Sequence, residues 1–140
     1  MSDESDWNTR IIEEFRANEG KLGGMFAGAD VLLLHHMGSK TGTERVNPLG
    51  YQRVGDAYAV FGSNSGKTSD PAWVQNLRAH PQTTAEIGSD TIEVVARVAE
   101  GDERTDIWER QKTNIPQFAE YEKTAKRDIP VVILKPVAGS

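Results

Sequence analysis

The sequence predicts an α+β protein in which about six mostly antiparallel strands form a sheet or barrel, with three or four helices around it. Two observations predict this class. Short extended runs rich in aliphatic residues follow one another through Gly-containing turns, and crossover helices do not separate them. That order is typical of antiparallel pairing. Residues 91–100 also alternate apolar with charged side chains, which is the pattern of a strand with one buried face.

Each element has a local signal. Apolar residues recur near helical spacing over residues 7–18, and Gly20 follows them, so we expect an amphipathic N-terminal helix there. Strands are predicted over residues 31–37, 44–53, 57–61, 83–87, 91–100 and 131–134. A helix is expected over residues 71–79, with Asp70 as its N-cap and Pro71 in its first position. Two more are expected, one capped by Asp102 and one over residues 117–125.

Size and composition limit the classes of function. A chain of 140 residues predicts a single domain, and a net charge of −5 argues against a nucleic-acid partner or an anionic membrane surface. The absence of cysteine excludes disulfides and thiol chemistry. The acidic start of the chain lacks the features of a secretory signal, and no apolar run is long enough for an integral membrane segment. We therefore expect a cytoplasmic protein, with a weak peripheral membrane contact through the N-terminal helix left open.

The stretch FGSNSGKTSDPAW, residues 61–73, resembles a nucleotide-binding P-loop but does not have its spacing. A P-loop needs four residues between its first glycine and the Gly-Lys pair, whereas Gly62 and Gly66 enclose three. The chain also turns again at Asp70, where a P-loop would continue as a long helix. The small polar residues 62–66 still allow backbone N–H groups to approach a ligand closely. The alternative is an ordinary surface loop.

A second Gly-rich turn, GSKTGTERVNP over residues 38–48, is better suited to bind an anion. Lys40 supplies a charge, Arg45 a planar fork for two phosphate oxygens, and Thr41 a hydroxyl donor. On the strand that follows, Arg45 and Asn47 share one face because side chains alternate. A solvated hairpin tip is the alternative interpretation.

The histidines do not predict a metal site. His35 and His36 are adjacent in a strand and therefore point to opposite faces, so they cannot bind one ion together. Replacement of His36 by alanine is expected to affect ligand binding much less than replacement of Arg45. The sequence also lacks the Gly-x-Ser-x-Gly elbow of hydrolases, and hydrolase chemistry has no positive support.

Four blocks of the sequence together resemble the deazaflavin-dependent nitroreductase family of actinobacteria: LLLHHMGSKTGTERVNPLGY, VFGSNSG, DPAWVQNLRAHP and the closing IPVVILKP. The resemblance covers about residues 30–136. It implies a split β-barrel, shared with flavin-mononucleotide oxidoreductases and pyridoxamine-phosphate oxidases, that binds the deazaflavin coenzyme F420. It also implies transfer of a hydride from the reduced coenzyme to a small electron-poor substrate such as a quinone, an enone or a nitroaromatic compound.

The resemblance further implies roles for individual residues. The phosphate of the cofactor is expected to contact Lys40, Thr41 and Arg45. The tail of the cofactor or the edge of its ring is expected to lie along Asn47 and Pro48. The ring itself is expected to lie against Ser63, Asn64, Ser65 and Gly66, with Trp73 flanking it. Tyr121 matches a substrate-side tyrosine and is expected to donate a proton or contact substrate, whereas Phe118 replaces a second tyrosine. The loop also has Asn64 at a position where the family can have a lysine. These two departures put nitroimidazole reduction in question, and a quinone or an unsaturated carbonyl compound is at least as good an expectation.

Two alternatives remain at this point. A flavin-mononucleotide oxidoreductase would use the same barrel, because Lys40, Thr41 and Arg45 serve its phosphate equally well. A non-catalytic deazaflavin-binding module would bind the cofactor without turnover.

Overall fold

The structure is a computed structural model that describes residues 3–23, 30–38 and 42–137. Within them lie four α-helices and six strands. The helices are α1 Asp3–Ala17, α2 Ala72–Ala79, α3 Gly101–Asn114 and α4 Gln117–Ala125. The strands are β1 Val31–Met37, β2 Glu44–Val54, β3 Ala57–Phe61, β4 Gln82–Ile87, β5 Asp90–Val98 and β6 Val131–Pro136.

The six described strands form a closed antiparallel barrel in the order β1-β2-β3-β6-β5-β4. Alternate residues point inward, so Leu32 and Leu34 of β1 are fully buried in the barrel interior. Helix α2 adds Trp73, Val74 and Leu77 to the same cluster. It therefore closes the end of the barrel at which β1 ends and β2 begins.

The remaining helices cover the outside of the barrel. Ile107 and Trp108 of α3 pack with Ile133 of β6 in a second apolar cluster, to which α4 also contributes. Phe15 of α1 packs on Leu33 of β1 in a third cluster. These contacts stabilise the barrel through burial of apolar surface, at roughly 25 cal/mol per Å².

A charged contact fastens α1 to the barrel. Arg16 donates two hydrogen bonds to Glu86 of β4, with Nε–Oε1 and Nη2–Oε2 distances of 3.0 and 2.7 Å. The Glu86 carboxylate also lies 2.6 Å from Nε2 of His35. The hydrogen bonds from Arg16 lower the pKa of Glu86, against the opposing effect of its burial. No helix in the described chain is long and apolar enough to cross a membrane.

The predicted fold class and most element boundaries agree with the structure. Strands β1 and β3 and helix α4 have the predicted bounds, whereas α1 begins four residues earlier than residue 7 and β6 continues to Pro136. The prediction of Asp102 as a cap was wrong, because α3 begins at Gly101 with Glu100 in the cap position. Asp102 lies instead in the first turn, where its charge interacts favourably with the positive end of the helix.

Candidate functional site

The barrel has an opening where β2 runs past the end of its pairing with β3, toward the segment that joins β3 to α2. Only residues 51–54 of β2 pair with β3, whereas residues 44–50 pair with β1 alone. After Phe61 the chain leaves the sheet and forms a loop over residues 62–70. We call the gap between residues 44–50 and this loop the β2 cleft. It is bordered by both of the Gly-containing segments identified in the sequence.

Arg45 and Asn47 extend from the inner face of β2 at this cleft. Their cross-strand partners are His36 and Leu34, which are inward-facing residues of β1. Arg45 is exposed, and none of the ion pairs within the described residues involves it. The predicted shared face of Arg45 and Asn47 is thus present. Lys40 and Thr41, the other predicted phosphate contacts, lie outside the described residues.

Pro48 lies on the same strand but faces the other way. Its register partner is the buried Leu33, which packs under α1, so the proline ring points away from Arg45 and Asn47. The N–H of Tyr51 donates to the Asp30 carbonyl on the β1 side at 3.0 Å, so alternate backbone groups, including those of Pro48, point toward the cleft. A proline is compatible with this open edge because its missing N–H has no strand partner there.

The opposite wall of the cleft is the loop over residues 62–70, which contains a short 3-10 turn, Asn64–Gly66. In the described chain no backbone carbonyl accepts from the N–H groups of Ser63 or Asn64, so both are free to donate to a ligand. Asn64 has φ of +50°, and its side-chain amide donates to the Ser69 carbonyl at 3.1 Å. The Ser65 side chain lies outside the described residues.

Gly66 brings α4 against this loop. It has φ of +82°, and a Cβ placed there would lie 2.3 Å from Oγ1 of Thr124. Thr124 donates to the Gly66 carbonyl at 3.0 Å, and the Tyr121 ring lies beside the same glycine. The close approach of α4 therefore requires that position 66 has no side chain. The sequence suggested another reason for this glycine, which was close contact with a ligand.

Tyr121 is half-buried and packs edge-to-face on Phe118, with ring centroids 5.4 Å apart. Phe118 in turn contacts Phe61 and Trp108 at 5.6 and 6.1 Å. The aromatic cluster holds Tyr121 at the edge of the loop. Within the described residues no hydrogen-bond partner occupies its hydroxyl group, which is therefore available to a ligand.

Trp73, which the resemblance places beside the cofactor, lies on the apolar face of α2. It is only 5% exposed and belongs to the barrel interior beneath α2. Its main contribution is the packing of α2 over the barrel end.

Arg127 holds the loop, and sequence reasoning missed it. Its Nη1 atom pairs with Asp70 at 2.6 Å, and its remaining N–H groups donate to loop carbonyls. Those carbonyls belong to Gly62 at 3.1 Å, Ser63 at 3.4 Å, Lys67 at 3.3 Å and Ser69 at 2.9 Å. The predicted N-cap role of Asp70 was wrong, because Pro71 takes the cap position and the Asp70 carboxylate binds Arg127. The only indication of this role in the sequence is the presence of an arginine shortly before the IPVV strand.

A buried polar group lies under Asn47. Nε2 of His36 is 2.6 Å from Oδ1 of Asn47, and Nδ1 of His36 is 2.9 Å from Nδ2 of Asn76 on α2. Burial lowers the pKa of His36, the hydrogen bond to Asn47 opposes that change, and the charge of Arg45 adds to it. His35 points to the α1 side, so the predicted divergence of the two histidines is confirmed.

The arrangement is suited to an elongated anionic ligand. As far as the described residues show, an unpaired guanidinium and an amide lie on one wall of the cleft, with free backbone donors and a tyrosine hydroxyl on the other. No group of side chains among the described residues is suited to hold a metal ion. A small apolar pocket of about 190 Å³ lies on the far side of α2, between Leu77 and Val98, away from these donors.

Comparisons with known proteins identify the family. The sequence profile of the family described as F420H(2)-dependent quinone reductase matches residues 7–136. An F420H(2)-dependent quinone reductase of Mycobacterium tuberculosis strain H37Rv is 32% identical over 124 residues, which cover 86% of this chain and 83% of that protein.

Solved structures agree with this result. An F420-H2 dependent reductase, FDR-A, superimposes with a TM-score of 0.69 at 31% identity, covering 76% of this chain and 94% of that one. The heme storage protein HutZ of Vibrio cholerae shares the fold alone, with a TM-score of 0.58 at 16% identity. The predicted split-barrel architecture is confirmed, and the chain belongs to the F420H(2)-dependent quinone reductase family.

Proposed function

We propose that this protein is a reductase that uses reduced coenzyme F420 to reduce a quinone-type substrate. The observation that carries the proposal is the exposed guanidinium of Arg45, which makes no ion pair with any described residue and lies beside Asn47 at the β2 cleft, in a chain with a net charge of −5. An acidic protein that leaves a cation uncompensated at a cleft has a site suited to an anionic group. When bound, the reduced deazaflavin supplies the hydride.

The chain's own residues bind and orient that group. Arg45 holds the phosphate through charge-assisted hydrogen bonds, and Lys40 and Thr41, which precede it in the sequence, contribute further donors. Asn47 donates along the tail or ring edge, and Pro48 borders the same edge through its carbonyl group. The loop offers backbone donors to the polar edge of the ring. The residues assigned to it are Ser63, Asn64, Ser65 and Gly66, with Trp73 on the next helix flanking the ring.

Tyr121 faces the substrate in this proposal. Its hydroxyl group has no partner in the described chain, and its ring is held by Phe118 at the border of the loop. A phenol in this position donates a proton or a hydrogen bond to the oxygen of a bound quinone. The aromatic surface beside it, which includes Phe118, excludes water from a flat apolar substrate.

The test is a titration of the purified apo-protein with oxidised coenzyme F420, with flavin mononucleotide as competitor. Arg45→Ala is expected to weaken binding of the deazaflavin by about 2 kcal/mol, or about 30-fold in Kd, the scale of a lost charge-assisted contact. The matched control is Arg53→Ala at the far end of the same strand, where the arginine binds the Gly55 carbonyl and stacks on Tyr58. Equal affinities of the two variants would refute the phosphate assignment.

We also propose a cytoplasmic location with at most weak peripheral membrane contact through α1. The apolar residues Ile11, Ile12 and Phe15 of this helix pack against the barrel, which leaves little apolar surface for lipid. Sedimentation with vesicles, compared with a chain that lacks residues 1–20, tests this. Strong sedimentation of the full chain that depends on those residues would contradict it.

A further inference from the structure

The three polar side chains beneath the β2 cleft form one continuous hydrogen-bonded chain. His36 is 3% exposed and Asn76 is 5% exposed, and together they connect the helix that closes the barrel to Asn47 at the cleft. A buried network of this kind persists only when each member is satisfied, since an unpaired buried polar group costs roughly 1–3 kcal/mol. No buried side-chain polar atom of the described residues lacks a partner.

The donors and acceptors determine where the imidazole proton lies. A side-chain amide nitrogen can only donate, so the Nδ2 atom of Asn76 donates to Nδ1 of His36. The ring then carries its proton on Nε2 and donates to Oδ1 of Asn47 at 2.6 Å. Arg45, which faces the ring from β2, and His35, its neighbour on β1, both disfavour a second proton on it. His36 is thus a neutral donor.

This polarity fixes the orientation of the Asn47 amide. Its oxygen is occupied by the buried ring, so its NH₂ group is directed away from His36 and toward the cleft. We infer that His36 is a positioning residue that makes Asn47 a hydrogen-bond donor to an acceptor oxygen of the cofactor, with Asn76 on α2 setting the tautomer. The inference rests on the proposed function and deepens it. It also replaces the expectation that His36 has little bearing on binding.

A double-mutant cycle tests whether His36 acts through Asn47. We expect His36→Leu to raise the Kd for oxidised coenzyme F420 by about tenfold, or ~1.4 kcal/mol. In an Asn47→Ala background the same substitution should have little further effect, because the residue it positions is gone. A tenfold loss that persists in that background would overturn the inference, as would the absence of any loss in the single variant.

Two further variants separate positioning from folding. His36→Gln keeps an N–H donor near the place of Nε2 and is expected to bind better than His36→Leu. His35→Gln changes the neighbouring histidine, whose ring bonds Glu86 on the other face, and should leave the Kd unchanged. If the glutamine variant bound no better than a folded leucine variant, hydrogen bonding to Asn47 would not be the cause.

The tautomer itself can be measured without cofactor. Long-range ¹H–¹⁵N correlation spectra of the apo-protein at neutral pH are expected to show His36 neutral, with its proton on Nε2. A proton on Nδ1 would mean that both amides are turned the other way, and would overturn the inference. If the wild-type protein did not bind coenzyme F420, the proposed function would fail, whereas this spectrum would still decide whether His36 orients the Asn47 amide as a donor.

Discussion

Arg127 should determine the stability of the loop that forms one wall of the β2 cleft. Its guanidinium pairs with Asp70 at 2.6 Å and donates to the Gly62 and Ser69 carbonyls at 3.1 and 2.9 Å. The two charged side chains are 16% and 25% exposed, so solvent screens the pair only partly. In Arg127→Ala a largely buried carboxylate and several loop carbonyls lose their donor.

The cost follows from that burial. Breaking a fully buried pair costs roughly 3–5 kcal/mol, and exposed pairs contribute roughly 0–1 kcal/mol. Because the pair is only partly exposed, we expect Arg127→Ala to lower the unfolding free energy by about 3 kcal/mol. Arg97 provides a matched control, because it meets Glu103 at the same 2.6 Å but with exposures of 54% and 40%. Arg97→Ala should cost about 0.5 kcal/mol.

Denaturant unfolding of both variants measures the difference, and a titration with coenzyme F420 measures its effect on the cleft. We expect the Kd of Arg127→Ala to rise by about tenfold, because the loop donors are no longer held in place. Arg127→Lys should recover part of the stability, since an ammonium group reaches Asp70 but cannot bind all the carbonyls. If Arg127→Ala destabilised the protein no more than Arg97→Ala, burial of the pair would not be what holds the loop.

Three further predictions concern other parts of the molecule. Gly66→Ala should lower the unfolding free energy by about 2–4 kcal/mol, because its Cβ would meet a hydroxyl of α4 at 2.3 Å. Gly42 has a similar φ but open space around it, so Gly42→Ala should lower the unfolding free energy by only about 1 kcal/mol. Equal shifts of the melting temperature in the two variants would contradict this. The lowered pKa of Glu86 adds stability that is complete above its ordinary pKa of 4.5 and is lost as the pH falls toward the folded-state pKa. Unfolding of Arg16→Ala should therefore depend less on pH in that range, and an unchanged pH profile would argue against the contact. Tyr121→Phe should reduce quinone turnover about tenfold or more and leave the Kd for coenzyme F420 unchanged, whereas loss of binding would place the hydroxyl at the cofactor.

The sequence predicted those features of the site that depend on local pattern. Alternation along β2 placed Arg45 and Asn47 on one face, and the register with β1 agrees with it. The same alternation separated His35 from His36. Local signals also located both segments that border the cleft.

Contacts between residues that are far apart along the chain could not be predicted from local patterns. The ion pair of Arg127 with Asp70 spans 57 positions, and the pairing of His36 with Asn76 spans 40. Asp70 precedes a helix and so has the local signal of a cap, but the partly buried Arg127 competes more strongly for its carboxylate. For Trp73 the resemblance implied a place beside the cofactor, and only the packing of α2 on the barrel shows how deeply the ring is buried.

The central claim is that bound reduced coenzyme F420 reduces a quinone in this protein. The most direct measurement follows the oxidation of reduced coenzyme F420 spectrophotometrically with a short-chain quinone, for the wild type and for Arg45→Ala. We predict saturable, protein-dependent oxidation, with the coenzyme concentration for half-maximal rate raised about 30-fold in the variant. Tight binding of the coenzyme with no quinone-dependent oxidation would contradict the account and indicate a binding module without turnover.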